Sequence, residues 1–252
     1  MTISTGEGAP SSIGPSSGEG DHDLQFAVAR TLDEVLAAWG LLYNAYIRAG
    51  FIAPNPYGIH TVPQAVGEHV LVIIGLKDGV LASTISAIMD SPAGLPLDTV
   101  YAEELMKMRS EGRRPIEVGL FGDRRDLKAE RSFSAIFELM RFTYHFARYM
   151  GATDVLCGIP PRRARLYARA FGFEQGGSLK AYATVKDNPV VLMRADIAQA
   201  TAKASEHRAV EYFVKEPVPV DVFEGRFRFA PEIVAGSVLD AYLRAKRPAK
   251  AA

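Results

Sequence analysis

The sequence predicts an α/β domain built on a mixed β-sheet with helices on both faces. Short strand-like apolar runs trade places along the chain with longer segments whose apolar residues recur at helical spacing. One strand pair is joined through Asp78-Gly79, the dipeptide of a tight hairpin turn. Capping residues and glycines punctuate the helical segments, and no internal repeat is present.

Taken in order, residues 1–22 are rich in Gly, Ser and Pro and read as an unstructured leader. Leu24–Arg30 alternates weakly as a first strand. Thr31 and Glu34 form a capping box, and Val35, Trp39, Leu42, Tyr43 and Tyr46 then mark a helix that stops near Gly50. Phe51–His60 is rich in Pro, Asn and Gly and is a loop, so Phe51 and Tyr57 have no periodic face to join. His69–Leu76 and Val80–Asp90 make the hairpin. The run Asp90–Pro96 breaks the second strand, and Asp98–Gly112 reads as a helix closed by its glycine. Pro115–Phe121 is the next strand. Phe133, Ile136, Phe137, Met140, Tyr144 and Ala147 mark a long helix ending near Gly151. Ala152–Ile159 is a strand and Pro161–Gly172 a basic helix. Strands follow at Leu179–Val185 and Pro189–Arg194, then a short helix, a Pro-rich connection over Glu216–Phe223, and a final helix from Pro231 to Lys246. The divisions expected are 1–22 as leader, 23–195 as the α/β domain and 196–252 as a helical extension.

Bulk composition excludes several classes. At 252 residues, with 48% apolar and 23% charged side chains, the chain can bury a substantial core. Lys plus Arg equals Asp plus Glu at 29 each, so no global field favours nucleic acid. The single cysteine, Cys157, supports no disulfide framework and fits a reducing cytoplasm. No apolar run approaches the ~20 residues of a membrane span, and no secretory signal is evident. His60, His69 and His145 lack metal-ligand spacing, so no metal site is expected.

The chemistry-bearing residue is Glu117, a lone acid inside the apolar strand Pro115–Phe121. Burying a carboxylate is costly unless proton transfer or a fixed hydrogen bond is gained. A strand acid facing solvent, or paired with Arg113 or Arg114, would instead be structural. Cys157, among Val155, Leu156 and Ile159, reads as a buried filler, and Trp39, Tyr43, Tyr46, Phe133 and Phe137 as core or as the wall of an apolar tunnel.

Four stretches carry a family resemblance: Leu41–Gly58, Asp90–Leu105, Arg113–Phe121 and Pro160–Gly177. Together with the order of elements they resemble the long-chain N-acyl amino acid synthases, which are GNAT-fold relatives of the acyl-homoserine-lactone synthases. The resemblance spans Leu24–Arg194, and Asp90–Asp98 is its most specific part. It implies a GNAT-like, mostly antiparallel mixed sheet of six to seven strands. It also implies transfer of a fatty acyl group from a thioester on acyl carrier protein to the amino group of an amino acid. The co-substrate is then acyl-phosphopantetheine on its carrier, with no permanently bound cofactor.

By the same resemblance Glu117 is the general base and Tyr167 the acid that protonates the leaving thiol. Backbone groups of Val118, Gly119 and Leu120 are expected beside the thioester carbonyl, Gly119 suiting a bulge. Where CoA-dependent relatives carry a glycine-rich phosphate loop, this chain has Arg124, Arg125, Lys128 and Arg131. That basic rim, extended by Arg162 and Arg163, suits the single phosphate and the acidic surface of a carrier protein. Arg124 and Arg125 are expected on the pantetheine phosphate, and Lys128, Arg131, Arg162 and Arg163 on the carrier. An acyl-homoserine-lactone synthase is disfavoured because Leu120 stands where those enzymes carry an arginine. A CoA-dependent N-acetyltransferase would fit the same fold, as would a non-catalytic domain that binds carrier protein or lipid. A peripheral membrane contact through a lipid product is a further expectation.

Overall fold

The computed structural model describes residues 24–124 and 133–246. In chain order these form β1 (Leu24–Val28), α1 (Leu32–Arg48), β2 (Val70–Lys77), β3 (Val80–Met89), α2 (Asp98–Ser110), β4 (Pro115–Asp123), α3 (Phe133–Tyr149), β5 (Asp154–Ile159), α4 (Pro161–Phe171), β6 (Glu174–Gln175), β7 (Lys180–Tyr182) and β8 (Asn188–Asp196). Five short helices follow: α5 (Ile197–Ala202), α6 (Arg208–Lys215), α7 (Val220–Glu224), α8 (Pro231–Val234) and α9 (Val238–Lys246).

The strands form an eight-stranded sheet in the order β1-β2-β3-β4-β5-β8-β6, with β7 also pairing to β8. Only β4 and β5 run parallel among these pairs. The sheet is therefore the GNAT-like, mostly antiparallel one, and the two-residue β6 raises the strand number to eight. At the hairpin both Asp78 (φ 52°) and Gly79 (φ 74°) are left-handed, as a tight turn between twisted strands requires. The α1 capping box closes as expected: the Glu34 N–H donates to Thr31 Oγ1 at 3.2 Å, and the Thr31 N–H to Glu34 Oε2 at 3.2 Å.

Alternation along the strands divides the core into two layers. Ile116, Val118 and Cys157 face α3, α4, α6 and α7 through Phe142, Phe146, Phe171, Phe213 and Phe223. Ile88, Leu156 and Leu192 face α1, α2 and α9 through Trp39, Leu97, Tyr101, Leu239 and Tyr242. The chain passes between layers at the free edge of β1. There the Phe227 N–H donates to Ala29 O at 2.7 Å, the Arg226 guanidinium bonds Glu68 O at 2.8 Å, and Phe229 stacks on Trp39 at 5.7 Å.

Several boundaries differ from the sequence expectation. The strand expected over Leu179–Val185 narrows to β7, because Ala183–Val185 turns as a 3₁₀ segment into Lys186 and Asp187, both at positive φ. One short helix becomes α5 and α6, and the Pro-rich connection contains α7. The expected Pro231–Lys246 helix is two, since Gly236 at φ 74° ends the first and redirects α9 to bury Leu239 and Tyr242.

Candidate active site

The site forms where β4 and β5 separate. Their ladder holds only over Pro115, Ile116 and Glu117, opposite Asp154, Val155 and Leu156. Beyond that point β4 pairs with β3, and β5 continues along β8 to Ile159. A bulge drives the parting: Ser86 faces Gly119 and Thr84 faces Gly122, so Leu120 and Phe121 together oppose Ile85. The unusual backbone falls at Leu120, at φ 52°, and not at Gly119 as the sequence suggested. A non-glycine residue held there stores strain of about 1–3 kcal/mol, a cost that clusters at functional sites. Gly119 instead keeps space open, since a Cβ on it would come within 3.8 Å only of Glu117 Oε1.

Glu117 shares its face with its register partners Ile88 and Leu156, so it points toward α1 and α2. It is 6% exposed, and Oε2 accepts the Leu97 N–H at 2.8 Å. Oε1 takes no hydrogen bond from the described residues, yet it is not among the fully enclosed orphan atoms, so it keeps an opening. Burial pushes the carboxyl up to about 8; the Leu97 N–H works against this and Asp98 adds to it. Neither Arg113 nor Arg114 neutralises it: Arg113 pairs with Asp154 and Asp196, and Arg114 bonds Met150 O.

The donor on Glu117 is set by the Asp90–Asp98 segment. Arg109 grips Asp90 (2.6 and 2.8 Å) and Asp98 (2.7 Å twice), and Asp98 Oδ2 accepts the Leu95 N–H at 2.7 Å. Burial raises the Asp98 carboxyl, but Arg109 and the Leu95 N–H outweigh it and hold the group below its usual range. Leu97 thereby lies over the opened strands, where a Cβ on Gly158 would meet its Cδ2 at 2.8 Å. Lys180 joins Glu104 at 2.8 Å and the Tyr101 hydroxyl donates to Ser178 O and Val190 O, tying α2 to the far side of the sheet.

Two tyrosines that sequence reasoning does not assign to the chemistry complete this side. Tyr46 reaches the site because α1 lies against β4, close enough that a Cβ on Gly122 would meet Leu42 Cα at 2.8 Å. Tyr182 lies with its hydroxyl 3.4 Å from Pro96 O. Burial raises both phenols, Tyr182 to about 12, and the nearby Glu117 raises both further. Aromatic residues at the end of a helix and in a short edge strand carry no periodic signal that separates a site wall from core. Phe51 also belongs here, packing edge-on against Tyr46 at 5.5 Å.

Tyr167 lies on the other layer, half-buried between Phe171 (5.5 Å) and Phe173 (5.8 Å). Burial keeps its hydroxyl protonated, Cys157 and Tyr46 reinforce this, and Arg163 one turn earlier opposes it. It is therefore held protonated in the same layer as Cys157. Tyr167→Phe is expected to lower kcat by ~10² with little change in substrate KM. Steady-state kinetics check this, and an unchanged kcat would leave Tyr167 a packing residue. Cys157 is buried with its thiol pushed well up, first by burial and then by Glu117, so it is held protonated and is no nucleophile.

Of the basic rim, Arg124 is half-buried at the end of β4 with its N–H on Ala82 O at 2.8 Å, and Arg162 and Arg163 are exposed on the first turn of α4. Arg125, Lys128 and Arg131 lie outside the described residues. No group of His, Cys, Asp and Glu among the described residues is arranged to hold a metal. A separate solvent-open hollow of about 250 Å³, lined by Gly172, Arg194, Gln199 and His207 among others, shares no residue with this group. No helix among the described residues is long and apolar enough to cross a membrane.

A sequence profile described as N-acyl amino acid synthase FeeM matches residues 37–196. The solved structure of FeeM, an N-acyl amino acid synthase from uncultured soil microbes, superposes with a TM-score of 0.65 at 24% identity, over 75% of this chain and 96% of that one. BjaI, a CoA-dependent acyl-homoserine lactone synthase, gives 0.53 at 13% identity over 81% and 98%. The acyl-homoserine-lactone synthase LasI gives 0.50 at 14% over 71% and 91%. No curated protein sequence matches. At these identities the structures establish the fold, and the profile, covering more than half of the sequence, establishes the family: this chain belongs to the FeeM-type N-acyl amino acid synthases and is an acyltransferase.

Proposed function

We propose that the protein transfers a long-chain fatty acyl group from acyl carrier protein to the α-amino group of an amino acid, with Glu117 as the base. The observation that carries this reading is a buried carboxyl with a pKa of about 8 at the fork of β4 and β5, one oxygen fixed by Leu97 and the other open. A free amino acid enters as an ammonium ion and must lose a proton before its nitrogen attacks, so a base that titrates near neutrality is matched to the task. The opened strands give an extended pantetheine arm unpaired backbone to lie against. The N–H groups of Val118, Gly119 and Leu120 are the proposed donors to the thioester carbonyl as it becomes an oxyanion. Tyr167 returns a proton to the departing sulfur. Arg124 and Arg125 take the pantetheine phosphate, and Lys128, Arg131, Arg162 and Arg163 face the carrier. No metal or permanent cofactor enters this scheme, and the cytoplasm, where carrier thioesters are made, is the proposed location.

The purified protein, incubated with acyl carrier protein thioesters and mixed amino acids, is expected to yield a lipid with an amino-acid headgroup, identified by mass. Charge reversal at Arg124 and Arg125 is expected to lower turnover about tenfold more with carrier-bound acyl groups than with acyl-CoA. Equal losses would count against the carrier-docking rim. Efficient turnover with acyl-CoA alone would make CoA the donor.

A further inference from the structure

The wall of the site nearest α1 depends on a part of the chain outside the family-matched residues 37–196. Tyr242, on α9, is 1% exposed, and its hydroxyl reaches back to the loop that follows α1. It donates to Thr61 O at 2.9 Å, receives the Thr61 N–H at 3.4 Å, and lies 3.5 Å from His60 Nδ1. The loop is fixed from the other side as well, because the His60 N–H donates to Trp39 O at 3.2 Å. Tyr57, from the same loop, packs edge-on against the Tyr242 ring at 5.8 Å. His60, 4% exposed, places its ring 5.1 Å from that of Tyr46, which shares the α1 layer with Tyr182 and lies near enough to Tyr182 and Glu117 for both to raise its phenol. A contact therefore runs from α9 through Thr61 and His60 to Tyr46.

The polar character of this contact is not explained by stability. His60 Nε2 and Thr61 Oγ1 are both fully enclosed without a partner, a cost that an apolar packing of the same volume would avoid. What the polar arrangement supplies is direction: a phenol bonded to both groups of one backbone residue fixes that residue's height and rotation more tightly than dispersion contacts do.

We propose that Tyr242 is a positioning residue for the acyl-acceptor side of the site, holding His60 so that Tyr46 is fixed beside Glu117. This inference rests on the acyl-transfer reading and adds to it that the amino acid is received on the Tyr46 side of Glu117. The C-terminal segment then has a defined part in the reaction. It crosses the β1 edge on Phe227, stacks Phe229 on the Trp39 of α1, and ends by locking the loop that backs Tyr46. The acyl donor lies along the fork of the strands and does not depend on this contact.

The test is a kinetic comparison in the full chain. Tyr242→Phe keeps the ring and its contact with Tyr57 but removes the hydroxyl. The KM for the amino acid is expected to rise about tenfold with the KM for the acyl donor near wild type, and the melting temperature to fall by a few degrees, since Thr61 loses a buried partner. His60→Ala, which withdraws the ring from Tyr46, is expected to give the same acceptor-specific rise. Leu239→Val, a packing change on the same helix, should leave both KM values unchanged. An unmoved acceptor KM in Tyr242→Phe would overturn the proposal, as would an equal rise in Leu239→Val or a matching rise in donor KM. A wild-type protein that acylates no amino acid with any thioester would overturn the acyl-transfer reading and this inference with it. Normal wild-type turnover with an unmoved acceptor KM removes the positioning role alone.

Discussion

Glu117→Gln is expected to lower acyl transfer by ~10²–10⁴, the range typical of a lost general base, while the protein folds as before. The amide is nearly isosteric, and its oxygen can still accept the Leu97 N–H, so the Asp90–Asp98 segment keeps its place. Stability supplies a second readout with a definite sign. Burial raises the folded-state value from an ordinary 4.5 to about 8, so the folded chain holds this proton more tightly than the unfolded chain. The resulting advantage is complete below about 4.5 and is lost as pH rises toward about 8. Wild type should therefore lose stability over that window, and Glu117→Gln should lose less. Activity of the wild type should rise over the upper part of the same window, as the base deprotonates. Denaturant melts and kcat/KM profiles at matched pH check both. A fully active variant, or one whose pH–stability curve overlies the wild type, would return Glu117 to a structural role. A residue that costs stability at working pH while driving turnover has the trade-off expected of a functional acid.

Asp154→Ala is expected to destabilise the fold by about 3–5 kcal/mol, because it removes a fully buried carboxylate that two half-buried arginines share. Asp154 is 0% exposed and joins three strands at one end of the fork. Arg113, just before β4, donates to both of its oxygens at 2.7 and 2.8 Å, Arg194 of β8 donates at 2.7 Å, and Thr153 Oγ1 at 2.5 Å. Burial pushes the carboxyl up, but these donors outweigh it and hold the group below its usual range. Its contribution is thus present at neutral pH and is lost as pH falls through the folded value, so acid unfolding should be shallower in the variant. For a domain of this size the loss corresponds to a melting temperature lower by on the order of 10 °C. Asp154 also faces Pro115 at the start of the brief β4–β5 ladder, so activity should fall beyond what unfolding explains. A melting point within a degree or two of wild type would show that the two arginines find other partners.

Particular residues separate what is local from what is not. Thr31 and Glu34 announce α1, Asp78-Gly79 the hairpin, and Gly172 the end of α4, because caps and turns are satisfied by neighbours a few residues away. Glu117 is legible for a related reason: a lone acid in an apolar strand is an anomaly of pattern. Pro231–Lys246 reads as one helix because its periodicity survives Gly236, and only packing against the loop after α1 decides to use that glycine as a stop. Asp98 and Arg109 stand 11 residues apart, ~16 Å along a regular helix, so their pairing is not a matter of spacing; α2 is broken at Tyr101 (φ −124°, ψ 37°). Nothing local could bring Asp90 to the same guanidinium or Leu97 to Glu117.

By itself the sequence determined most of the order of strands and helices and the lone acid of β4, since these are written in periodicity, caps and one misplaced charge, while the family was read from the resemblance of four stretches. The tertiary structure decided the parting of β4 from β5, the bulge at Leu120, the tyrosines around Glu117 and the hold of α9 on the site loop. Each of those requires groups distant in sequence to meet, and a meeting of that kind is fixed by close packing and hydrogen-bond satisfaction across the whole core, which no window along the chain contains.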